Sequence, residues 1–104
     1  MITIKEIPPK TFFEGFKGPY VHGEQMTFGY VELKAGCKVP LHAHVHEQIT
    51  YLIEGNLEMM VDGKEYSLHA GNCLIIPSSA VHSAYAKKDS KIIDVFNPVR
   101  EEYR

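Results

Sequence analysis

The chain has 104 residues, enough for one compact domain with one hydrophobic core and too few for a second domain of ordinary size. Its 11 basic and 13 acidic residues give a net charge of −2, and no run of Lys or Arg forms the patch that is typical of nucleic-acid or lipid binding. No apolar stretch of about 18 residues predicts a membrane span, so we expect neither a nucleic acid nor a membrane as partner.

The N-terminal segment, about residues 1–24, is predicted to be an arm outside the main fold. It opens with MITIKEIPPK, which carries charges where a signal peptide is apolar, so we expect a cytoplasmic protein. The arm contains Phe12, Phe13, Phe16 and Tyr20, and a small barrel leaves little core of its own to receive four aromatic rings. We therefore expect a homodimer that covers this surface, partly by adding a strand to the partner's sheet.

Residues from about 25 to 97 are predicted to form an all-β barrel in a single domain, followed by a short C-terminal tail. Gly and Pro separate short runs rich in Val, Ile, Tyr, Phe and Thr, and no window has apolar residues at helical spacing. Asp62-Gly63 is a strong hairpin signal. Further turns are predicted at 54–56, 70–72, 77–79 and 87–90. Strands are predicted at 25–34, 47–55, 57–63, 64–70, 72–78, 81–87 and 91–96.

The predicted strands also suggest where individual tyrosines, histidines and cysteines lie. Tyr30, Tyr51 and Tyr85 are predicted to lie in the core or to line the barrel, and His22 and His69 are predicted to lie at the surface or at an interface. Cys37 and Cys73 fit a reducing compartment as free thiols, although the sequence alone does not exclude a disulfide.

The stretch VPLHAHVHEQ contains three histidines at alternate positions, His42, His44 and His46, followed by Glu47 and Gln48. On a strand, residues i and i+2 project to the same face, so His42 and His44 would present two imidazoles to one point. Neutral imidazole is a common ligand of divalent transition-metal ions. The alternative is a row of solvent-facing polar residues, and the local spacing leaves both interpretations open.

Two wider patterns of spaced residues surround the histidines. The first falls on Gly36, His42, His44, Gln48 and Gly55, and the second on Gly71, Pro77, Ser79 and His82. The two patterns resemble the two motifs of the cupin family, and the 15 residues between them are the gap of a compact cupin. In the second motif Ser79 replaces the usual Gly, and Ala86 replaces the usual Asn. Two motifs in the right order are a far more specific signal than either alone.

The cupin resemblance implies a double-stranded β-helix, a jelly-roll barrel that holds one divalent transition metal per chain. It assigns the metal ligands to His42, His44, Gln48 and His82, with Gln48 where many members carry Glu. It makes His46 a residue of the mouth or of the surroundings of the site. Four neutral ligands would leave the ion its full 2+ charge, which favours Lewis-acid chemistry and an anionic substrate. The sequence does not choose among Ni, Zn, Fe and Mn.

A narrower resemblance is to the small cupins of pectin and alginate breakdown known as KdgF. Their tails share with IIDVFNPVREEY the order Asp, one residue, Phe, three residues, Arg, which corresponds to Asp94, Phe96 and Arg100. These cupins convert cyclic 4,5-unsaturated uronates into the linear keto sugar acid, so the implied substrate is an anionic sugar acid. By this resemblance Asp94, Phe96 and Arg100 are catalytic-site residues. A carboxylate can transfer the protons, and an Arg can bind the substrate carboxylate.

Other interpretations stay open at this point. If the strand alternates, Asp94 shares a face with Ile92 and Phe96, which is typical of a pocket lining, but it could instead face solvent. Arg100 could pair with Glu101 or Glu102 in the tail. The same histidines would also serve an Fe(II) cupin dioxygenase, which would consume oxygen, or a non-catalytic cupin, which would bind a small ligand without turnover.

Overall fold

Nine β-strands and two 3-10 turns make up the chain, and a computed structural model describes all of its residues, 1–104. Every strand pair is antiparallel, which confirms the predicted all-β jelly-roll barrel. No helix has the length and apolar character needed to cross a bilayer. The elements are a 3-10 turn at Ile4–Glu6, β1 at Lys10–Phe13, β2 at Phe16–Gly18, β3 at Tyr20–His22, β4 at Thr27–Leu33, β5 at Lys38–His42, β6 at Glu47–Val61, β7 at Lys64–His69, β8 at Cys73–Ile76, β9 at His82–Asn97 and a 3-10 turn at Glu101–Tyr103.

The two longest strands, β6 and β9, pass from one half of the barrel to the other. The first part of β6 pairs with β8 and the end of β9, and its second part pairs with β7 and the start of β9. The turns predicted at 54–56 and 87–90 are therefore wrong, because both strands continue through these segments with shifts of register. Gly55 has a φ of +110°, which a residue without a Cβ adopts most easily, and it forms a corner instead of a turn.

The hairpin predicted at Asp62-Gly63 is confirmed. Both residues have positive φ, 49° and 80°, and the pair joins β6 to β7 where Val61 faces Lys64 in register. This backbone conformation matches the twist of the two flanking strands, as in the type I′ turns favoured by Asp-Gly.

The N-terminal segment is part of the same sheet. Strands β2 and β3 pair with β4 of their own chain, and β1 pairs with β2. Phe16 and Tyr20 are buried in the core, and Phe12 and Phe13 pack against it. The expectation that these rings lack a core within the chain is therefore wrong, because the short strands carry them over the edge of the barrel.

Alternation along β6 and β9 decides which side chains point into the barrel. Gln48, Thr50 and Asp94 are buried on the inward face, which they share with apolar residues such as Leu52. Tyr51 lies between two inward residues and is 39% exposed on the outer face. The prediction that Tyr51 belongs to the core or the lining is wrong, since a period of two places it on the opposite side. The inward face thus brings polar side chains to one end of the barrel.

Candidate metal centre

Three histidines from different parts of the chain converge at this end of the barrel. His42 is the last residue of β5, and it faces His82, the first residue of β9, in register. His44 lies in the loop that follows β5, so the prediction that His42 and His44 share one strand is wrong. Even so, one ring nitrogen from each of the three lies within 4.8 Å of the others. The three histidines could hold a metal ion.

Hydrogen bonds fix the same tautomer in all three rings. His42, His44 and His82 each donate an Nδ1–H to a main-chain carbonyl two residues away, at 2.8, 3.0 and 2.8 Å. A carbonyl oxygen only accepts, so each Nδ1 carries the proton and each Nε2 keeps its lone pair. Partners of this kind orient histidine ligands in metal sites.

The side chain of Gln48 faces His44. Its Oε1 lies 3.0 Å from His44 Nε2, while its Nε2 donates to Thr50 Oγ1 at 2.9 Å and to Asp94 Oδ1 at 3.2 Å. These two bonds fix the amide, so that two acceptor atoms face each other without a proton between them. A shared cation removes this conflict, and neighbouring ligands at about 2.1 Å from one ion lie at about this separation. The donor set therefore fits a divalent ion.

Burial keeps His44 and His82 neutral. Burial lowers the pKa of His44 to about 4, and the nearby Arg100 charge acts in the same direction. Burial also lowers the pKa of His82. Near neutral pH both rings therefore offer a lone pair without first losing a proton.

Asp94 is buried on the inward face of β9, with 4% of its surface exposed, so the solvent-facing interpretation is wrong. Its Oδ1 accepts hydrogen bonds from Thr50 Oγ1 at 2.6 Å and from Gln48 Nε2. Burial raises the pKa of Asp94 to about 6, and the hydrogen bonds from Thr50 and Gln48 oppose this rise. A carboxyl group with such a pKa can exist in both protonation states near neutral pH, as a proton-transfer group requires.

Arg100 lines the same inner cavity as Asp94, and only 8% of its surface is exposed. Its Nε donates to Glu102 Oε1 at 2.6 Å, so the predicted ion pair in the tail exists. The guanidinium carbon lies 5.0 Å from the centre of the Phe96 ring and 4.3 Å from that of Tyr103. A buried cation beside the histidines makes this end of the barrel attractive to an anion.

Three residues near the site were not predicted to be there or were placed elsewhere. Thr50 donates a hydrogen bond to Asp94. Its position two residues after Gln48 on a strand could have predicted that it faces the site, because residues i and i+2 share a face. Nothing in the sequence predicted Tyr103 near the site, because its position depends on how the tail folds back. His22, predicted at the surface or at an interface, bonds the main-chain oxygen of Tyr103 at 3.2 Å. His46 was expected beside the site and not among the metal ligands; it is buried with an unpartnered Nδ1, outside the group formed by the other three histidines.

Comparison with known proteins finds the same family that the sequence motifs resemble. A family model described as a cupin domain matches residues 18–96. The chain is 32% identical over 69 residues to the L-ectoine synthase of Shouchella clausii, across 64% of this chain and 52% of that protein. It is 28% identical over 64 residues to the pectin degradation protein KdgF of Dickeya dadantii, across 60% of this chain and 58% of that protein. The matches thus span little more than half the length of these curated relatives.

A solved structure of KdgF from Halomonas sp. is similar over the whole chain. Its TM-score is 0.92 at 25% sequence identity, and the match covers 100% of this chain and 97% of that one. The chain is therefore similar to KdgF in sequence and in structure, which confirms the resemblance drawn from the motifs.

Proposed function

This chain belongs to the cupin family, and from that premise we propose that it is a metal-dependent enzyme that opens cyclic 4,5-unsaturated uronates to the linear keto sugar acid. The observation that carries the proposal is a single cavity in which a proton-transfer carboxyl, Asp94, and a buried cation, Arg100, accompany His42 and His82. The likeness to KdgF supports this choice of reaction.

The proposed ligands are the three histidines and Gln48, and the proposed cofactor is one divalent transition metal per chain. His42, His44 and His82 would bind it through Nε2, and Gln48 through Oε1. When bound, the ion supplies Lewis-acid stabilisation of negative charge on a substrate oxygen. Three imidazoles and an amide suit Ni, Zn, Fe or Mn.

The chain's own side chains account for binding and proton transfer. Arg100 binds the substrate carboxylate, and the ring of Phe96 fixes the guanidinium from one face. Asp94 takes the proton of the anomeric hydroxyl as the carbonyl forms and the bond between C1 and the ring oxygen breaks. The cleavage leaves an enolate, and Asp94 then delivers the same proton to C4, so that the enolate oxygen becomes the ketone oxygen. The reaction is an isomerisation that needs no external oxidant or reductant.

An ultraviolet assay tests the proposal. The protein is purified, its metal is identified by elemental analysis, and an unsaturated uronate from a pectin or alginate lyase is added. We expect the absorbance of the conjugated double bond to disappear without consumption of oxygen, and a chelator to abolish the effect. Consumption of oxygen with this or another small molecule would favour a cupin dioxygenase, and tight binding without turnover would favour a non-catalytic cupin.

We also propose that the protein is cytoplasmic and that it forms a homodimer through a surface other than the N-terminal segment. The outer face of the sheet formed by β8, β6, β9 and β4 carries two apolar rows. Ile75 and Ile49 are 60% and 39% exposed. Two copies of an apolar sheet face can pack on each other across a two-fold axis, so we propose a second copy of the chain as its partner. The rows are Ile75, Ile49, Val95 and Phe28, and Cys73, Tyr51, Ile93 and Tyr30.

A further inference from the structure

We propose that the C-terminal 3-10 turn, Glu101–Tyr103, holds Arg100 in the orientation that receives a substrate carboxylate, with Glu102 and Tyr103 as positioning residues. The inference rests on the proposed function, because it concerns the anion that Arg100 binds. The 3-10 turn itself contains no proposed metal ligand or proton-transfer group, so its proposed role is to position Arg100.

Two aromatic rings and one carboxylate surround the guanidinium of Arg100. The rings of Tyr103 and Phe96 lie at 4.3 and 5.0 Å from its central carbon, and Glu102 Oε1 binds its Nε at 2.6 Å. The main chain is fixed as well, since the N–H of Arg100 donates to Thr27 Oγ1 at 2.8 Å. A long side chain that is already ordered loses less rotamer freedom when it binds a ligand.

Contacts with the N-terminal strands fix Tyr103 in turn. Its ring stacks on Phe12 at a centroid distance of 4.0 Å and meets the edge of Tyr20 at 5.0 Å. Its main-chain oxygen accepts hydrogen bonds from Lys10 Nζ at 3.0 Å and His22 Nε2 at 3.2 Å. The 3-10 turn is therefore anchored to β1 and β3, and through Tyr103 the anchoring reaches Arg100.

The geometry of the ion pair leaves part of the guanidinium for a ligand. The side chain of Glu102 is 51% exposed and that of Arg100 is 9% exposed, so Glu102 approaches from the solvent side. Glu102 engages Nε, and the Nη groups make no hydrogen bond within the chain. Since Arg100 lines the inner cavity, these groups are the donors that can bind a carboxylate there in a two-pronged arrangement.

Substitutions in the tail separate positioning from general stability. Tyr103→Leu removes the ring, and Tyr103→Phe keeps it. Glu102→Gln removes the charge beside Arg100, and Glu101→Gln removes a charge one residue away that pairs with Arg104 at the surface. We expect Tyr103→Leu and Glu102→Gln to raise the KM for an unsaturated uronate about tenfold at nearly unchanged kcat. Tyr103→Phe and Glu101→Gln should match the original protein.

Two measurements keep the test independent of turnover. Calorimetry compares binding of D-galacturonate with that of D-galactose, and the NMR signal of the Arg100 Nε–H reports its contacts with the rings and with Glu102. We expect a preference for the acid that falls about tenfold in Tyr103→Leu and Glu102→Gln, together with a displaced Nε–H signal. Because Glu102 is half exposed, Glu102→Gln should fold even if Tyr103→Leu does not.

The possible failures are distinguishable. If the protein turns over unsaturated uronates but Tyr103→Leu and Glu102→Gln bind and react like Glu101→Gln, the positioning role is overturned and the proposed function stands. If it turns over none of them, the proposed function fails, and the calorimetric and NMR results decide the positioning role. A protein that binds D-galactose as well as D-galacturonate would overturn the role of Arg100 as an anion site, and with it the inference.

Discussion

At the scale of single residues, the site depends on where protons and lone pairs point. His44 Nε2 and Gln48 Oε1 face each other at 3.0 Å because the opposite ends of both side chains are already bonded. Residue spacing predicted the histidines to consider, and the resemblance to KdgF added Asp94 and Arg100. Neither predicted Thr50 or Tyr103 as their partners, because contacts across strands and from a folded-back tail leave no local pattern in the sequence.

Metal content should depend on His44 but not on His46. His44→Ala removes one of the three imidazoles that converge, so the purified protein should lose its ion. His46→Ala should keep it, because the His46 ring lies outside the three-histidine group. Elemental analysis of the two variants measures this directly. If His46→Ala emptied the site while Gln48→Ala left it full, the proposed ligands would be wrong.

At the scale of elements, the sequence predicted strands between residues 25 and 97, but it did not predict β1, β2 and β3, and it placed Tyr51 on the wrong face of β6. The corners of β6 and β9 were not predicted either, since Gly55 and the polar residues near 87–90 are equally typical of turns. What decides between them is pairing with distant strands, which continues through both corners. A Cβ at Gly55 would clash with Ser90 Oγ and lie 2.6 Å from Ser90 Cα, so the corner also requires close approach of the two strands.

Gly55→Ala should therefore be much more destabilising than Gly71→Ala. Both glycines have positive φ, but a Cβ at Gly71 meets nothing within 4 Å. We expect a loss of about 1 kcal/mol in the free energy of unfolding for Gly71→Ala, from backbone strain alone. For Gly55→Ala we expect a loss of about 3 kcal/mol or more, because the contact with Ser90 adds to the strain. Urea unfolding with a chelator present measures both. Equal losses would contradict the role given to the corner.

At the scale of the whole molecule, the chain covers its N-terminal aromatic rings with its own strands, and its exposed apolar surface lies elsewhere. The sequence predicted uncovered aromatic rings in the N-terminal segment, and this reason for a partner there is wrong, because β2 and β3 pair with β4 of the same chain. The outer rows on β6 and β8 became evident only once the register placed Ile49 opposite Ile75 and Tyr51 opposite Cys73.

Light scattering at micromolar concentration should find a dimer. Ile75→Asp places a charge in the apolar rows and should yield a monomer. Leu41→Asp is the matched control, because Leu41 is 62% exposed, close to the 60% of Ile75, but lies on β5 in the other half of the barrel. It should leave the dimer intact. A monomeric original protein, or dissociation by Leu41→Asp alone, would count against this interface.

The central claim is that Asp94 transfers the protons of uronate ring opening beside the metal site, and the turnover of Asp94→Asn tests it most directly. An amide oxygen still accepts the hydrogen bonds of Thr50 and Gln48, so the substitution removes the base and leaves the surroundings in place. We predict that kcat falls about a hundredfold or more while metal content stays normal. Asp89→Asn, which changes an exposed carboxylate that bonds the N–H of Ala35, should have no effect on kcat. Ring opening by Asp94→Asn at the original rate, with metal bound, would contradict the account.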